Sequence, residues 1–402
     1  MNNYSEHFLM NTEDVKEYAK MVLKYFEMDE RLEASEIGDG NINYVFKIWN
    51  SDTGKSLIIK QADRLLRSSG RPLDMHRNKI EAEILSIERE LAHSYVPTVY
   101  NYDEVMYAMA MEDISAYKNL RTELMKGKIF DHFSDNISTF LVNTLLPTTD
   151  LILDRAKKKE RVKLFINPEL CDISEDLVFT EPYNDYKKQN VIPEGNLEFV
   201  KKMLYNDEEL KAEVGILRDG FMNHAQALIH GDLHSGSIFA NEEGIKIIDP
   251  EFAFYGPMGY DVGNVIGNLF FTWINKFFVE PDNQEFLSWI EKTIVEVVDS
   301  FVKKFSRKYD EEVTFDLYKI EEFKKYYIER VLSDSIGYAG TEIIRRVVGD
   351  SKVVEVTSVT YMNERIAMER VLIKAGITFI KNRDQILTGT TITNIVKKLL
   401  VK

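Results

Sequence analysis

Cysteine is nearly absent from this sequence, and basic charge is in short supply. Cys171 is the only cysteine among 402 residues, which excludes an intramolecular disulfide and a metal site built from several thiolates. Acidic side chains outnumber basic ones by 66 to 51, for a formal net charge of −15. Because nucleic-acid binding needs clustered Lys and Arg to neutralise phosphates, we expect no nucleic-acid partner.

Long apolar runs and a basic leader are also missing. The most apolar stretch, residues 268–279, contains Lys276 and is much shorter than the roughly 20 residues of a membrane-spanning helix. The first twenty residues carry acidic side chains where a signal peptide would begin with basic ones. We therefore expect a cytoplasmic protein with no membrane partner.

Apolar periodicity divides the chain into two parts. Its length favours more than one compact domain. The first part alternates between helical and β-like patterns, with helices predicted at 12–30 and 77–92 and strands at 43–49, 55–62 and 104–111. From residue 114 the pattern is mainly helical, apart from a hairpin predicted around the turn at 241–244. The predicted fold is of the α+β class and bilobal: a small β-rich lobe with a helix at 1–113 and a larger, mainly helical lobe at 114–402.

A glycine-containing turn lies between β-like segments of the first part. Gly38 and Gly40 are followed by Asn41 and Asn43, so the first two glycines of a G-x-G-x-x-G pattern are present and Asn43 takes the third place. Glycines let backbone amides approach phosphate oxygens closely, and asparagine tolerates left-handed backbone. An ordinary hairpin turn fits the same residues. The glycines therefore indicate a phosphate-binding loop only in combination with the motifs that follow.

A lysine follows at the end of an apolar strand. Lys60 closes the run Leu57-Ile-Ile-Lys60 and lies about twenty residues after Gly40. Such a lysine can pair with nucleotide phosphates if an acid from the next helix orients it. Glu81 and Glu83 are the candidates, and because they are two residues apart on a helix they cannot both face Lys60. We favour Glu81; a solvent-facing lysine on an edge strand is the alternative.

The densest group of polar residues lies in the second part, at His230-Gly-Asp232 and Asp249-Pro-Glu251. A carboxylate such as Asp232 can position an acceptor hydroxyl and take its proton during phosphoryl transfer. Asp249 follows a predicted strand, and Glu251 shares its face if the backbone is extended. Two hard oxygen ligands suit Mg²⁺. His230 and His234 fit histidines bonded to the backbone better than acid–base groups or zinc ligands.

Taken in chain order, these pieces resemble the protein-kinase-like small-molecule kinases, the group that includes aminoglycoside phosphotransferases and choline kinases. Within that group the motifs are similar to those of the 5-methylthioribose kinases. The matching pieces are Glu36-Ile-Gly-Asp-Gly-Asn41, Met111-Glu-Asp113, Asn167-Pro-Glu-Leu-Cys-Asp172, His230-Gly-Asp-Leu-His-Ser-Gly-Ser237, Ile248-Asp-Pro-Glu-Phe-Ala-Phe-Tyr-Gly-Pro257 and Ile344-Arg-Arg346.

The resemblance implies a role for each motif. It implies an ATP-dependent kinase that phosphorylates the anomeric hydroxyl of 5-methylthioribose and acts as a homodimer. Asp232 would be the catalytic base, and Asp249 and Glu251 would bind Mg²⁺. Arg345 and Arg346 would line the sugar pocket. The remaining positions would hold ATP: Gly38, Gly40, Asn41, Asn43, Lys60 and Glu81 at the phosphates, and the backbone of Met111, Glu112 and Asp113 at the adenine.

Several alternatives stay open at the level of sequence. Adjacent helical residues point about 100° apart, so one of Arg345 and Arg346 can contact the ligand while the other pairs with Glu342. Ser237 stands where related kinases often have a metal-binding asparagine, and serine is a weaker ligand. A kinase of the same fold acting on choline, an aminoglycoside or another sugar remains open. A non-catalytic binding module fits less well, since Lys60, Asp232 and Asp249 are all present.

Overall fold

The structure is a computed structural model that describes residues 4–37, 43–65 and 72–401. The chain forms two compact units, the first comprising Met1–Tyr117 with Lys246–Ala253 and the second Lys118–Ile245 with Phe254–Lys402. Among the described residues, no helix combines the length and the apolar composition that crossing a bilayer requires.

A five-stranded antiparallel sheet forms the body of the first unit. Its strand order is β1-β2-β3-β5-β4. The strands are β1 (Glu33–Glu36), β2 (Tyr44–Trp49), β3 (Ser56–Gln61), β4 (Val99–Asp103) and β5 (Ala108–Met111). β3 is buried almost throughout, as its apolar run Leu57-Ile-Ile suggested. β1 and β4 were not predicted, because their mixed side chains, exposed or half-buried, lack a regular alternation.

Two predicted elements of the first unit are shorter than expected. The strand predicted at 104–111 begins only at Ala108, because Asp103 accepts hydrogen bonds from the backbone of Val105 and Met106 and closes a turn. The helix predicted at 12–30 is α1 (Thr12–Met21), which Asn11 caps and which ends before Lys24 takes a positive φ of 50°.

The second helix of this unit is α2 (Arg77–Leu91), close to the predicted span. Ile80, Ile84 and Leu85 form its buried apolar face. Glu81 lies next to Ile80 and is fully buried as well. The helix therefore carries a carboxylate into the interior of the first unit.

The second unit is mainly helical, and the predicted α+β class is confirmed. Its short strands are β6 (Lys118–Asn119), β7 (Ala227–Ile229), β8 (Ile238–Ala240), β9 (Ile245–Ile247, which runs past the unit boundary) and β10 (Phe254–Gly256). Its helices are α3 (Leu120–Met125), α4 (Phe133–Leu145), α5 (Arg155–Leu164), α6 (Pro168–Phe179), α7 (Glu181–Asn184), α8 (Leu197–Val200), α9 (Glu208–Asn223), α10 (Gly259–Val279), α11 (Gln284–Glu312), α12 (Glu321–Val348), α13 (Val354–Thr357), α14 (Met362–Asn382) and α15 (Gly389–Leu400).

Close packing of α10 on α12 organises the core of the second unit. α10 is buried from Gly259 to Lys276, which explains why its sequence is the most apolar stretch of the chain. A Cβ atom on Gly263 would lie 2.5 Å from the carbonyl oxygen of Ser335 on α12, so only glycine permits this approach. The contact fixes α12, and with it the two arginines near its C-terminal end.

Short strands hold the loop that contains Asp232. β7, which leads into the loop, pairs antiparallel with β10, and β8, which follows it, pairs antiparallel with β6. The predicted turn after β8 is confirmed, since the Asn241 N–H donates to the Gly244 carbonyl at 3.1 Å. The loop is thus anchored at both ends by backbone hydrogen bonds.

Candidate active site

Lys60 lies at the centre of an acidic cluster in the first unit. It is buried in β3, and its Nζ lies 2.7 Å from Glu81 Oε1 and 2.5 Å from Asp249 Oδ1. Glu81, and not Glu83, is therefore the helix acid that contacts this lysine. The Glu81 side chain is completely buried, whereas that of Asp249 is 47% exposed. Glu81 can orient the lysine while Asp249 keeps an oxygen accessible to a ligand.

Glu251 belongs to the same cluster and has partners of its own. Asn43 Nδ2 donates to Glu251 Oε2 at 3.2 Å, and Arg77 Nη2 donates to Asn43 Oδ1 at 3.0 Å. Arg77 Nε lies 3.6 Å from the same Glu251 oxygen. Asn43, predicted as a phosphate-loop residue, contacts Glu251 here. Nothing in the sequence singled out Arg77; its position at the start of α2 beside the Lys60 cluster emerges only from the fold.

The backbone at Asp249 differs from the extended conformation expected from the sequence. Asp249 is left-handed, with φ 63° and ψ 42°, and Pro250–Phe252 forms a single 3₁₀ turn. The predicted alternation that would put Asp249 and Glu251 on one face of a strand is therefore wrong. The tight turn brings both carboxylates to the Lys60 cluster instead, and aspartate is among the residues that tolerate this conformation best.

Three carboxyl groups, those of Glu81, Asp249 and Glu251, crowd around the two cations Lys60 and Arg77 in this cluster. Burial, together with the neighbouring carboxylates, raises the pKa of Glu81 to about 8 in spite of Lys60. Burial raises the pKa of Glu251 as well. Burial opposes the charge on Lys60, but Asp249, Glu81 and Glu251 outweigh it and raise the pKa of the lysine. An additional cation would favour the ionised forms of these carboxyl groups.

The donor set fits Mg²⁺ in character. Carboxylate oxygens are the ligands that this hard cation prefers, and it commonly takes only one or two of them together with phosphate oxygens and water. Within the described ranges, no three acidic, histidine or cysteine side chains converge to complete a metal site. A metal ion held by Asp249 and Glu251 would have positions left for phosphate oxygens and water.

The residues predicted to contact adenine lie at the end of β5 and just after it, since Met111 is the last residue of the strand. The Glu112 N–H donates to the Thr98 carbonyl at 2.8 Å, so this amide is engaged within the first unit. The Asp113 carboxylate lies 2.8 Å from Lys47 Nζ. Burial would raise the pKa of Asp113, but the hydrogen bonds from Lys47 and its neighbours lower it to about 2. Of the other nucleotide-site predictions, Gly38, Gly40 and Asn41 lie outside the described residues.

A buried aspartate holds the backbone of the HGD loop in the second unit. The Asp261 carboxylate, in the first turn of α10, accepts hydrogen bonds from the N–H groups of His230 at 2.7 Å and Gly231 at 3.0 Å. Gly231 has a φ of 83°, which residues with a Cβ rarely adopt. The loop that presents Asp232 is therefore rigid. Asp261 was missed, because it lies some thirty residues beyond the motif that it supports.

Asp232 lies between two arginines and a histidine. Its Oδ1 atom is 3.2 Å from Arg345 Nη2 and 3.6 Å from Arg346 Nη2. Its Oδ2 atom is 3.4 Å from His234 Nε2. The Asp232 side chain remains 25% exposed, so an acceptor hydroxyl can reach it.

Both arginines also bind Glu342, which is buried one turn earlier on α12. Arg345 Nε donates to Glu342 Oε2, and Arg346 Nε donates to Oε1 at 3.2 Å. The expectation that one arginine would pair with Glu342 while the other faces a ligand does not describe this geometry. Each arginine contacts both Glu342 and Asp232, because the two side chains are long enough to converge from different sides of the helix.

Electrostatics keep Asp232 ionised and His234 neutral at pH 7. Burial would raise the pKa of Asp232, but the charges around it, including Arg346 and Arg345, lower it well below its usual range. Burial lowers the pKa of His234 to about 4 in spite of Asp232. The Ser237 N–H donates to His234 Nδ1 at 3.1 Å, so neutral His234 carries its proton on Nε2, facing Asp232.

Ser237 shapes the loop through hydrogen bonds within it. Besides its N–H bond to His234, its hydroxyl donates to the Asp232 carbonyl oxygen at 3.3 Å. These contacts position the backbone of Asp232 and the ring of His234. They account for a serine at this position without any contact to a metal ion.

Neutral His234 should leave a signature in the pH dependence of stability. The unfolded chain binds a proton at this residue below about pH 6.5, whereas the folded protein does so only near pH 4. Stability should therefore fall as the pH is lowered from 6.5 to 4, by at most about 1.4 kcal/mol per pH unit from this group. Urea denaturation of the wild type and of His234→Gln at several pH values measures the difference. Equal slopes in the two proteins would contradict the assignment.

Comparison with known proteins gives close relatives across most of the chain. A family model described as "Phosphotransferase enzyme family" matches residues 169–291. A methylthioribose kinase of Bacillus pumilus is 36% identical over 370 residues, covering 92% of this chain and 91% of its own. One from Bacillus cereus is 37% identical over 360 residues, covering 89% of each chain. The similarity thus extends well beyond the phosphotransferase segment.

Among solved structures, a choline kinase from Cryptosporidium parvum Iowa II matches with 13% sequence identity and a TM-score of 0.49. The match covers 90% of this chain and 98% of that one.

Proposed function

The chain belongs to the methylthioribose kinase family, and we propose that it transfers the terminal phosphoryl group of ATP to the anomeric hydroxyl of 5-methylthioribose. The products are 5-methylthioribose 1-phosphate and ADP. The observation that carries this proposal is the Asp232 carboxylate, held ionised beside Arg345 and Arg346 on a rigid loop. A carboxylate of this kind is what alignment of an acceptor hydroxyl requires.

The first unit supplies the groups that bind nucleotide phosphates. Lys60 is oriented by Glu81 and contacts phosphate oxygens. These oxygens partly replace Asp249 as partners of the lysine. Asp249 and Glu251 hold Mg²⁺, with Arg77 and Asn43 fixing the orientation of Glu251. When bound, the metal neutralises charge that develops on the phosphates. The chain segment at Met111–Asp113 offers backbone groups to the adenine ring.

The second unit supplies the groups that bind the acceptor. Asp232 accepts a hydrogen bond from the anomeric hydroxyl, which turns the oxygen lone pair towards the phosphorus. Because its pKa is lowered, Asp232 is a weak base and takes up the proton late, as the O–P bond forms. Arg345 and Arg346 stabilise negative charge on the transferred group, and Glu342 fixes both guanidinium groups.

We also infer a cytoplasmic homodimer in which residues 1–113 form the ATP-binding lobe and residues 114–402 form the lobe that carries the sugar site and contributes Asp249 and Glu251 to the metal. The inference rests on the composition of the chain and on its family. Sedimentation equilibrium of the purified protein measures the oligomeric state directly. A protein that stays monomeric at micromolar concentrations would remove the dimer and leave the catalytic proposal unaffected.

ADP release with a panel of acceptors tests the substrate. The panel holds 5-methylthioribose, ribose, choline and an aminoglycoside. We expect kcat/KM for 5-methylthioribose to exceed that of ribose by about tenfold or more, because the methylthio group adds apolar contact area. Choline and the aminoglycoside should react far more slowly, since a cation is repelled by Arg345 and Arg346. A preference for choline or the aminoglycoside would reject 5-methylthioribose as the substrate, but the protein would still be a kinase.

A further inference from the structure

A third arginine lies beside the loop that carries Asp232, and the function proposed above does not use it. Arg121, on α3, donates from Nε to Ser235 Oγ at 3.1 Å and from Nη2 to Asn268 Oδ1 at 3.0 Å. Its backbone N–H donates to the Ser235 carbonyl at 3.2 Å. Nη1 makes no hydrogen bond to the described residues, and the side chain is 19% exposed. Both N–H donors of Nη1 therefore remain available.

The free nitrogen is close to the ring of His234. A Cβ atom added to Gly236 would lie 3.2 Å from Arg121 Nη1 and 2.8 Å from His234 Cε1, so both groups crowd the same point. His234 in turn approaches Asp232, with 3.4 Å between Nε2 and Oδ2. Asp232, His234 and Arg121 thus lie one after another in space, and a glycine at position 236 makes room for the last two.

A buried carboxylate fixes the direction of Arg121. Glu355, on α13, is fully buried, and neither of its carboxylate oxygens has a hydrogen-bond partner among the described residues. Its nearest cation is Arg121, whose Nε lies 3.5 Å from Oε1. Its backbone carbonyl is anchored by Asn275 Nδ2 at 2.6 Å. A buried carboxylate with so few contacts needs an explanation, and fixing a functional arginine provides one.

We propose that Arg121 binds ring hydroxyls of the sugar acceptor through Nη1 and that Glu355 is the positioning residue that aims it. The two N–H groups of Nη1 match the two adjacent oxygens of a vicinal diol. The reacting hydroxyl donates a hydrogen bond to Asp232, so the remaining ring hydroxyls extend past His234 towards Arg121. This inference rests on the proposed function, which supplies a sugar as the acceptor, and it assigns a specificity-determining role to Arg121.

Deoxy analogues of the acceptor provide the test. We compare kcat/KM for 5-methylthioribose with its 2-deoxy and 3-deoxy forms in the wild type, Arg121→Met and Glu355→Gln, with Arg307→Met as a control that removes an exposed arginine. The wild type should discriminate against one of the deoxy sugars by roughly 10- to 100-fold, since the missing hydroxyl leaves an N–H donor of Arg121 without a partner in the complex. In Arg121→Met the same ratio should fall below about threefold, and in Glu355→Gln it should be intermediate.

A purely structural role for Arg121 would change activity without changing this ratio, and an unchanged ratio in Arg121→Met would overturn the proposal. If Arg121→Met does not fold, Arg121→Lys replaces it and should also lower the ratio, because lysine keeps the charge but its Nζ ends one bond short of the position of Nη1. The proposed function fails separately: if the wild type prefers another pentose, the ratio is measured with that pentose and its deoxy forms. A wild type that accepts no pentose would overturn both.

Discussion

Asp232→Asn is expected to lower kcat by about three orders of magnitude while the Kd for ATP stays within about twofold of wild type. Asparagine has the same size as aspartate, but it cannot accept the proton of the acceptor hydroxyl and has no charge to offer Arg345 and Arg346. Lys60 and Asp249, which belong to the proposed nucleotide site, are unchanged. ADP release at saturating substrate gives kcat, and titration with a non-hydrolysable ATP analogue gives the nucleotide affinity.

Asp219→Asn is the matched control for this variant, because Asp219 is an exposed aspartate on α9 of the same unit. Its kcat should equal that of the wild type. Among the described residues, loss of the Asp232 charge leaves the two arginines with only Glu342 as a close acidic partner. Thermal denaturation of both variants is therefore needed to separate misfolding from lost chemistry. A folded Asp232→Asn enzyme with near-normal kcat would remove Asp232 from the mechanism.

Residues that act within a local pattern could be predicted from the sequence. Lys60 is the last residue of an apolar run, and the run folds as β3. Glu81 lies on the apolar face of a regular helix, which is why it rather than Glu83 turns into the unit. Asp232 sits in a short motif whose glycine takes a positive φ. In each case the side chain direction follows from periodicity or from a single turn.

Residues that act through tertiary contacts could not be predicted. Arg77, Asp261 and Glu355 each contact a partner far away in the chain, and none of them stands in a recognisable motif. The convergence of Arg345 and Arg346 on the same carboxylates also lies beyond a helical-wheel argument, because the reach of the side chains offsets the angle between their Cα–Cβ bonds. The contacts of the two arginines depend on the packing of α12 against α10, which is a tertiary feature.

Asp249→Asn is expected to weaken metal-dependent nucleotide binding by about 30-fold or more and to abolish most activity. Asparagine keeps one carbonyl oxygen but loses the negative charge that a divalent cation needs. Lys60 retains Glu81 at 2.7 Å, so the lysine is not left unpaired. Isothermal titration with ATP in the presence of Mg²⁺, and Mn²⁺ titration followed by electron paramagnetic resonance, measure the loss directly. Asp52→Asn, at an exposed turn of the same unit, serves as the control.

Nucleotide binding without metal separates a metal ligand from a structural residue at position 249. The carboxylates of Asp249 and Glu251 repel the triphosphate. Removal of the Asp249 charge should reduce that repulsion, so ATP without Mg²⁺ should bind Asp249→Asn at least as tightly as wild type. Opposite changes in the two affinities identify a metal ligand. Parallel losses with and without Mg²⁺ would show that Asp249 supports the fold of the site, and Glu251 would then be the remaining candidate ligand.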